Sequence, residues 1–247
     1  MARRSYFRTF FKKIIITLIL IAIAGAGSLF IYPDVSRLKT TNPSRTSFME
    51  FREKEWKQEG KKIRIRQTWT PMSQISPYLI KAVLIAEDDK FWQHEGFDYE
   101  ALQKALEKDI KQKKFKFGGS TITQQLAKNL YLTPSKNPAR KMKEAILTWR
   151  IEKTLSKRRI LELYLNVAEW GEGLFGIGAA SFHYYGKPAA ELGTEESARL
   201  ASVLPNPRRY NPVGASRYVE NRSRLIYDIM VRRGIVTEEY DLQEENE

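Results

Sequence analysis

The 247-residue chain contains no cysteine and only two histidines. Without cysteine, disulfides, thiolate nucleophiles and cysteine-ligated metals are excluded. The redox compartment stays open, because a chain of this length with 42% apolar residues can bury a core without covalent staples. His94 and His183 lie far apart, with no metal-type spacing around either, and both read as structural hydrogen-bonding residues. Internal repeats are also missing, and the only biased segment is an acidic tail over 238–247. Acid is otherwise in deficit: 42 Lys and Arg against 29 Asp and Glu give a net charge of +13. Such a balance calls for an anionic partner, whether nucleic acid, phospholipid or a phosphorylated substrate.

The first 32 residues narrow that choice. Arg3, Arg4, Arg8, Lys12 and Lys13 precede a run of 19 uncharged residues, Ile14 to Tyr32. A helix needs roughly 20 predominantly apolar residues to cross a bilayer. The segment 14–32 therefore reads as a single transmembrane helix, with 1–13 a cytoplasmic basic segment and everything after it outside, as the positive-inside rule dictates. The competing reading is a cleaved signal peptide ending near Ala22-Ile23-Ala24. Continuation of the apolar run through Leu29, Phe30 and Ile31 favours the anchor. Removing the five leading cations leaves 37 basic against 29 acidic residues, net +8, on an exported body. No nucleic acid is expected there; a membrane surface or a phosphate-bearing lipid suits the location.

Residues 33–70 read as a juxtamembrane connector and domain edge, with a short helix over 48–56 and a short strand through Ile63, Ile65 and Gln67. From 71 to 237 the chain is mainly helical. Ser76-Pro77 opens a helix that runs into Glu87, and three- and four-residue apolar spacing predicts further helices over 99–111, 120–130, 138–155, 157–167, 194–203 and 217–233. The glycine-dense run Trp170 to Gly178 is a poor helix, since each Gly costs about 1 kcal/mol relative to Ala, and reads as a tight loop beneath a groove. Alternating basic and aromatic residues in Lys113-Lys114-Phe115-Lys116-Phe117 suggest contact with the lipid interface.

Several stretches carry chemistry that a purely structural helix does not need. The apolar run Tyr78 to Ala86 ends abruptly in Glu87-Asp88-Asp89. A carboxyl at such a boundary is half desolvated, which raises its pKa and suits it to proton transfer. Gly118-Gly119-Ser120-Thr121 precedes a helix in which Gln124 and Lys128 fall four apart. Free N–H groups with Ser120 and Thr121 would make an anion site there, and a capped helix with a solvated face explains the same residues. Arg140 and Glu144, also four apart, read either as an intrahelical ion pair or as part of a grip on a pyrophosphate, directly or through a divalent ion.

In their order, Glu87-Asp88-x-x-Phe91-x-x-His94-x-Gly96, Gly118-x-Ser120-Thr121-Ile122-Thr123-Gln124-Gln125, Arg140-Lys141-x-x-Glu144 and Lys157-x-x-Ile160-Leu161-Glu162-x-Tyr164-Leu165-Asn166 resemble the signature motifs of glycosyltransferase family 51. These are the peptidoglycan glycosyltransferases that polymerise lipid II, and the span plus single domain resembles the monofunctional members. A fifth motif, usually a pair of arginines, is matched only loosely around Arg199. The resemblance implies a lysozyme-like, two-lobed helical domain on the periplasmic side of a bacterial inner membrane. It implies Glu87 as general base, with Glu144 also catalytic and a tentative contact to Mg2+ or Mn2+. Asp88, Ser120, Thr121, Gln124, Gln125, Lys128, Asn129, Arg140, Lys157 and Glu162 are then implied as substrate-binding. Lipid II, the growing lipid-linked glycan, the membrane and other cell-wall or division proteins are the implied partners; no organic cofactor is implied. A lysozyme-like hydrolase, a lytic transglycosylase and a wall-binding scaffold are the alternatives. A hydrolase usually asks for two carboxyls and no cationic clamp.

Overall fold

The computed structural model describes residues 13–17, 20, 27, 32–112, 119–134 and 137–236. The expected span over 14–32 is described only at 14–17, 20, 27 and 32, and the expected lipid-contact stretch 113–117, Gly118 and the tail 238–247 lie outside the described residues. Among the described residues no helix is long and apolar enough to cross a membrane.

The described body is mainly helical. Helix α1 (Ser47–Gln58) starts where Thr46 Oγ1 accepts the Met49 N–H. Helix α2 (Pro77–Glu87) buries Leu79, Ala82, Val83 and Leu84 and ends at the first acid of the Glu-Asp-Asp run. Helix α3 covers Tyr99–Gln112. Thr121 and Gln124 form a reciprocal capping box on α4 (Ile122–Tyr131). Asn137 caps α5 (Pro138–Thr154), and Ser156 caps α6 (Lys157–Val167). Helices α7 (Ile177–Tyr185), α8 (Thr194–Val203) and α9 (Arg217–Arg232) complete the set. Three very short strands, β1 (Arg66–Gln67), β2 (Glu169–Gly171) and β3 (Leu174–Phe175), form one sheet in the order β1-β3-β2. The β1–β3 pair is parallel and the β2–β3 pair antiparallel.

The helices pack in two groups. One stacks α8 against both α2 and α9; the other sets α4 against α5 and α6, with α1 on its outer side. A large apolar core runs through both groups, and Met49, Trp56 and Phe175 form a small second cluster under α1. The groups meet where α2 ends and α4 begins, and this junction carries the site.

Two expectations change. Only residues 66 and 67 of the expected strand pair with the sheet, because Ile63 and Ile65 turn into the small cluster beside Trp56. The glycine-dense run is a β-hairpin leading directly into α7, a helix absent from the expected set. Its glycines serve close approach. Gly176 has φ +77°, and a Cβ there would lie 2.7 Å from the Asn166 carbonyl oxygen; at Gly178 one would lie 2.2 Å from Thr70 Oγ1. Backbone contact at these points lets Asn166 staple α6 to residue 70: its Oδ1 accepts the Thr70 N–H at 2.7 Å and its Nδ2 donates to the Thr70 oxygen at 2.8 Å. Ser76 precedes α2 as expected, yet its hydroxyl donates to the Leu192 oxygen instead of capping the helix.

Candidate active site

Glu87 occupies the last position of α2, with its side chain only 10% exposed. Its Oε2 accepts the Gln125 Nε2–H at 2.8 Å, whereas Oε1 is buried and accepts no hydrogen bond. Burial pushes the carboxyl pKa up; the Gln125 hydrogen bond and the charges of Arg222 and Lys128 hold it back in part. Such a group has the proton affinity of a base and an oxygen still open to a donor.

The orientation of Gln125 follows from Tyr164. The Tyr164 hydroxyl is fully buried, its pKa pushed well above 10 by that burial, so it acts only as a proton donor here. It donates to Gln125 Oε1 at 3.1 Å, which turns the amide –NH2 toward Glu87. Tyr164 stands in the fourth motif but was given no role from the sequence, because it sits in the apolar stripe of α6 and reads as core.

Asp88 has a different fate. Oδ1 lies 2.9 Å from His94 Nε2, and Oδ2 accepts the Ile122 N–H at 2.9 Å. His94 Nδ1 accepts the Gly96 N–H, so the imidazole proton is on Nε2 and points at Asp88. With both oxygens engaged and its side chain 2% exposed, Asp88 ties α2 to α4 at the edge of the cavity that Glu87 lines. Thr121 and Gln124 are likewise bonded within the protein. Thr121 Oγ1 donates to the Gly96 oxygen and accepts the Gln124 N–H, while Gln124 Oε1 accepts the Thr121 N–H, so the capped-helix reading holds for both.

On the far side of Gln125 from Glu87 lies a cationic cluster. Lys128, half-buried on α4, has its pKa lowered by burial and drawn back up chiefly by Glu144. Among the described residues it makes no hydrogen bond and no ion pair. Glu144 is buried, and its two oxygens take Arg140 Nη1 at 2.6 Å and Lys141 Nζ. That intrahelical pairing fixes a row of cations beside Lys128. It also leaves Glu144 without a free oxygen. No group of three metal-ligating side chains occurs among the described residues, so the side chains present do not make a cage for a divalent ion. An ion arriving on a pyrophosphate would belong to the substrate.

Ser120 borders a cavity of about 260 Å3 that Glu87 also lines, and Asn129 borders a second, of about 240 Å3, shared by Gln125 and Lys128. Lys157 and Glu162 are held elsewhere. Lys157 Nζ pairs with Glu152 Oε1 at 2.8 Å over the Phe91 ring, and Glu162 accepts the Met72 N–H and pairs with Arg159. Both are held by partners within the protein. Arg199 donates to the Pro212 and Gly214 oxygens and supports the loop after α8. The arginine that reaches Glu87 is Arg222 of α9: it donates to the Ala86 oxygen at 3.1 Å, with Nη2 3.9 Å from Glu87 Oε1. Its mostly exposed, charged neighbours on α9 hid it in the sequence.

Three groups therefore converge on the α2–α4 junction: a buried carboxyl with one oxygen free of hydrogen bonds, an amide fixed by a phenol, and an ammonium that makes no ion pair among the described residues, backed by two more cations. A family model described as transglycosylase matches residues 54–231. The chain is 43% identical over 230 residues to a biosynthetic peptidoglycan transglycosylase of Nitrosospira multiformis, covering 93% of this chain and 99% of that protein. It is 49% identical to a protein of the same name from Azoarcus, over 80% of this chain and 85% of the relative. A third, from Dechloromonas aromatica, is 53% identical over 69% of this chain and 74% of its own length. Every residue converging on the junction falls inside the matched segment, and the chain belongs to the transglycosylase family.

Proposed function

We propose that this protein is a peptidoglycan glycosyltransferase that polymerises lipid II into β-1,4-linked glycan and releases undecaprenyl pyrophosphate. The observation that carries the reading is Glu87: a desolvated carboxyl with raised pKa whose Oε1 accepts no hydrogen bond, one side chain away from Lys128. Oε1 takes the proton of the acceptor's GlcNAc 4-hydroxyl. The hydroxyl oxygen then bonds to the anomeric carbon of the donor's terminal MurNAc as the bond to the pyrophosphate oxygen breaks, with inversion from α to β. The departing electron pair stays on the pyrophosphate, whose charge Lys128 and Arg140 offset. Gln125 holds Oε2 so that Oε1 faces the hydroxyl. Glu144 acts by fixing Arg140 and Lys141, and Ser120 and Asn129 line the groove.

The same reading makes the fold a lysozyme-like, two-lobed domain with its groove at the α2–α4 junction. It sets residues 14–32 as a single span of the bacterial inner membrane, with the N-terminus cytoplasmic and the catalytic domain periplasmic. The 19 uncharged residues after five cations support that placement. A substrate fixed in the outer leaflet by its lipid is met best by an enzyme anchored beside it. The test incubates detergent-solubilised full-length protein with labelled lipid II beside Glu87→Gln. A ladder of lysozyme-sensitive glycan from the wild type alone is expected; equal polymer from both proteins removes Glu87 from the role of base.

A further inference from the structure

The cavity of about 240 Å3 beyond Gln125 has a second wall that the reaction described above does not use. Opposite Lys128 stand Arg52 of α1, Glu169 of β2 and Arg208 of the loop after α8. Arg52 donates Nε and Nη2 to Glu169 Oε2 at 3.0 and 2.8 Å and Nη1 to Glu55 Oε2 at 2.8 Å. Arg208 Nη1 donates to the same Glu55 oxygen at 2.6 Å. Glu169 is almost wholly buried, and its Oε1 has no hydrogen-bond partner. Burial pushes its pKa up, and the bonded Arg52 and the nearby Arg208 hold it back in part. Lys128, Arg52 and Arg208 thus border one cavity; the two arginines are held by Glu55, Glu169 and Glu172, whereas Lys128 makes no ion pair among the described residues. An oxyanion entering this cavity would accept from Lys128 and from arginines already fixed in place by their acids.

We propose that this cavity is an oxyanion subsite continuous with the Glu87 groove, in which Arg208 and Arg52 meet an anionic group of the lipid-linked substrate from the wall opposite Lys128. The inference rests on the proposed function and adds residues outside the motifs that carry it. Arg208 is the side chain that reads the ligand; Arg52 is a positioning residue, fixed by Glu169 and Glu55. Two groups on such a substrate share the chemistry: the phosphates and the free carboxylates of the stem peptide.

The test measures equilibrium binding of lipid II to detergent-solubilised full-length protein, for the wild type, Arg208→Gln and Arg208→Lys. Arg208 is suited to substitution because Glu55 keeps Arg52 as its partner, so no acid is stranded. Loss of one charge-assisted contact is expected to weaken binding about tenfold in Arg208→Gln, with partial recovery in Arg208→Lys and an unchanged melting temperature. Lipid II with amidated stem carboxylates separates the two sources. If the carboxylate is bound, amidated substrate binds the wild type about tenfold more weakly and no longer responds to Arg208→Gln. If a phosphate is bound, the tenfold loss appears with both substrates. Wild-type affinity in Arg208→Gln, with lipid II bound by the wild type, overturns the subsite alone; a wild type that neither binds nor polymerises lipid II overturns the proposed function with it.

Discussion

Replacing Arg222 by Gln tests how the proton affinity of Glu87 is set. The guanidinium lies 3.9 Å from the buried Oε1, with the two side chains 31% and 10% exposed. At that separation two unit charges attract by about 1 kcal/mol if screened as in water and by about 4 kcal/mol at an effective dielectric of about 20. Arg222 reaches partial solvent, so an intermediate value of about 2 kcal/mol is appropriate, roughly a thirtyfold change in proton affinity. The sign follows from what the cation does: it stabilises the carboxylate and opposes the upward pull of burial, so removing it raises the pKa of Glu87 further. A general base must be ionised to act. The acidic limb of the kcat/KM profile for lipid II polymerisation is therefore expected to move to higher pH in Arg222→Gln. The deficit should be about thirtyfold below the limb and should shrink on the alkaline side. The Ala86 carbonyl also loses its donor, so melting temperature is followed in parallel and the comparison made at temperatures where both proteins are folded. An acidic limb at the wild-type position, with activity reduced equally at every pH, refutes the electrostatic account and leaves Arg222 as a brace on α2.

Three further outcomes follow from the same geometry. Glu87→Gln should raise the melting temperature, and the gain should grow with pH: the folded-state pKa is above the unfolded one, so the wild-type carboxyl withdraws stability as pH rises from the unfolded value through the folded one. A thermal-shift series with a pH-independent difference would contradict this. Tyr164→Phe strips Gln125 Oε1 of its donor and lets the amide reverse, so kcat should fall about tenfold with KM little changed; an unaltered kcat would show that the amide is held by other means. Gly176→Ala forces a Cβ to 2.7 Å from the Asn166 oxygen at φ +77° and should cost about 2 kcal/mol or more in denaturant unfolding, against near-neutrality if the hairpin simply shifts.

Much of the fold was legible because local chemistry and tertiary context agree. Helix α6 begins at Lys157 and ends at Val167 as its apolar spacing predicts, and α8 likewise matches 194–203. Helix α7 was not legible, since Gly176 and Gly178 weaken the helical signal and are there for contacts with Asn166 and Thr70, residues far away in sequence. The site divides along the same line. Glu87 was recognisable from an apolar run ending in acid, but nothing local distinguishes it from Asp88. Only the positions of His94 and Ile122 determine which of the two carboxyls keeps an open oxygen. Arg222, Arg208 and Arg52 read as ordinary surface cations until the chain is folded, because each has a partner more than a hundred residues away.

The Asp88–Ile122 bond has a mechanical consequence. The peptide link from Glu87 to Asp88, the Asp88 bond to Ile122, one helical turn from Ile122 to Gln125, and the Gln125 bond back to Glu87 close a small ring of four links. A closed ring is over-determined: changing one span requires changing the others. Glu87 and the amide that holds its Oε2 therefore move as one piece, so that a shift of either helix carries both together.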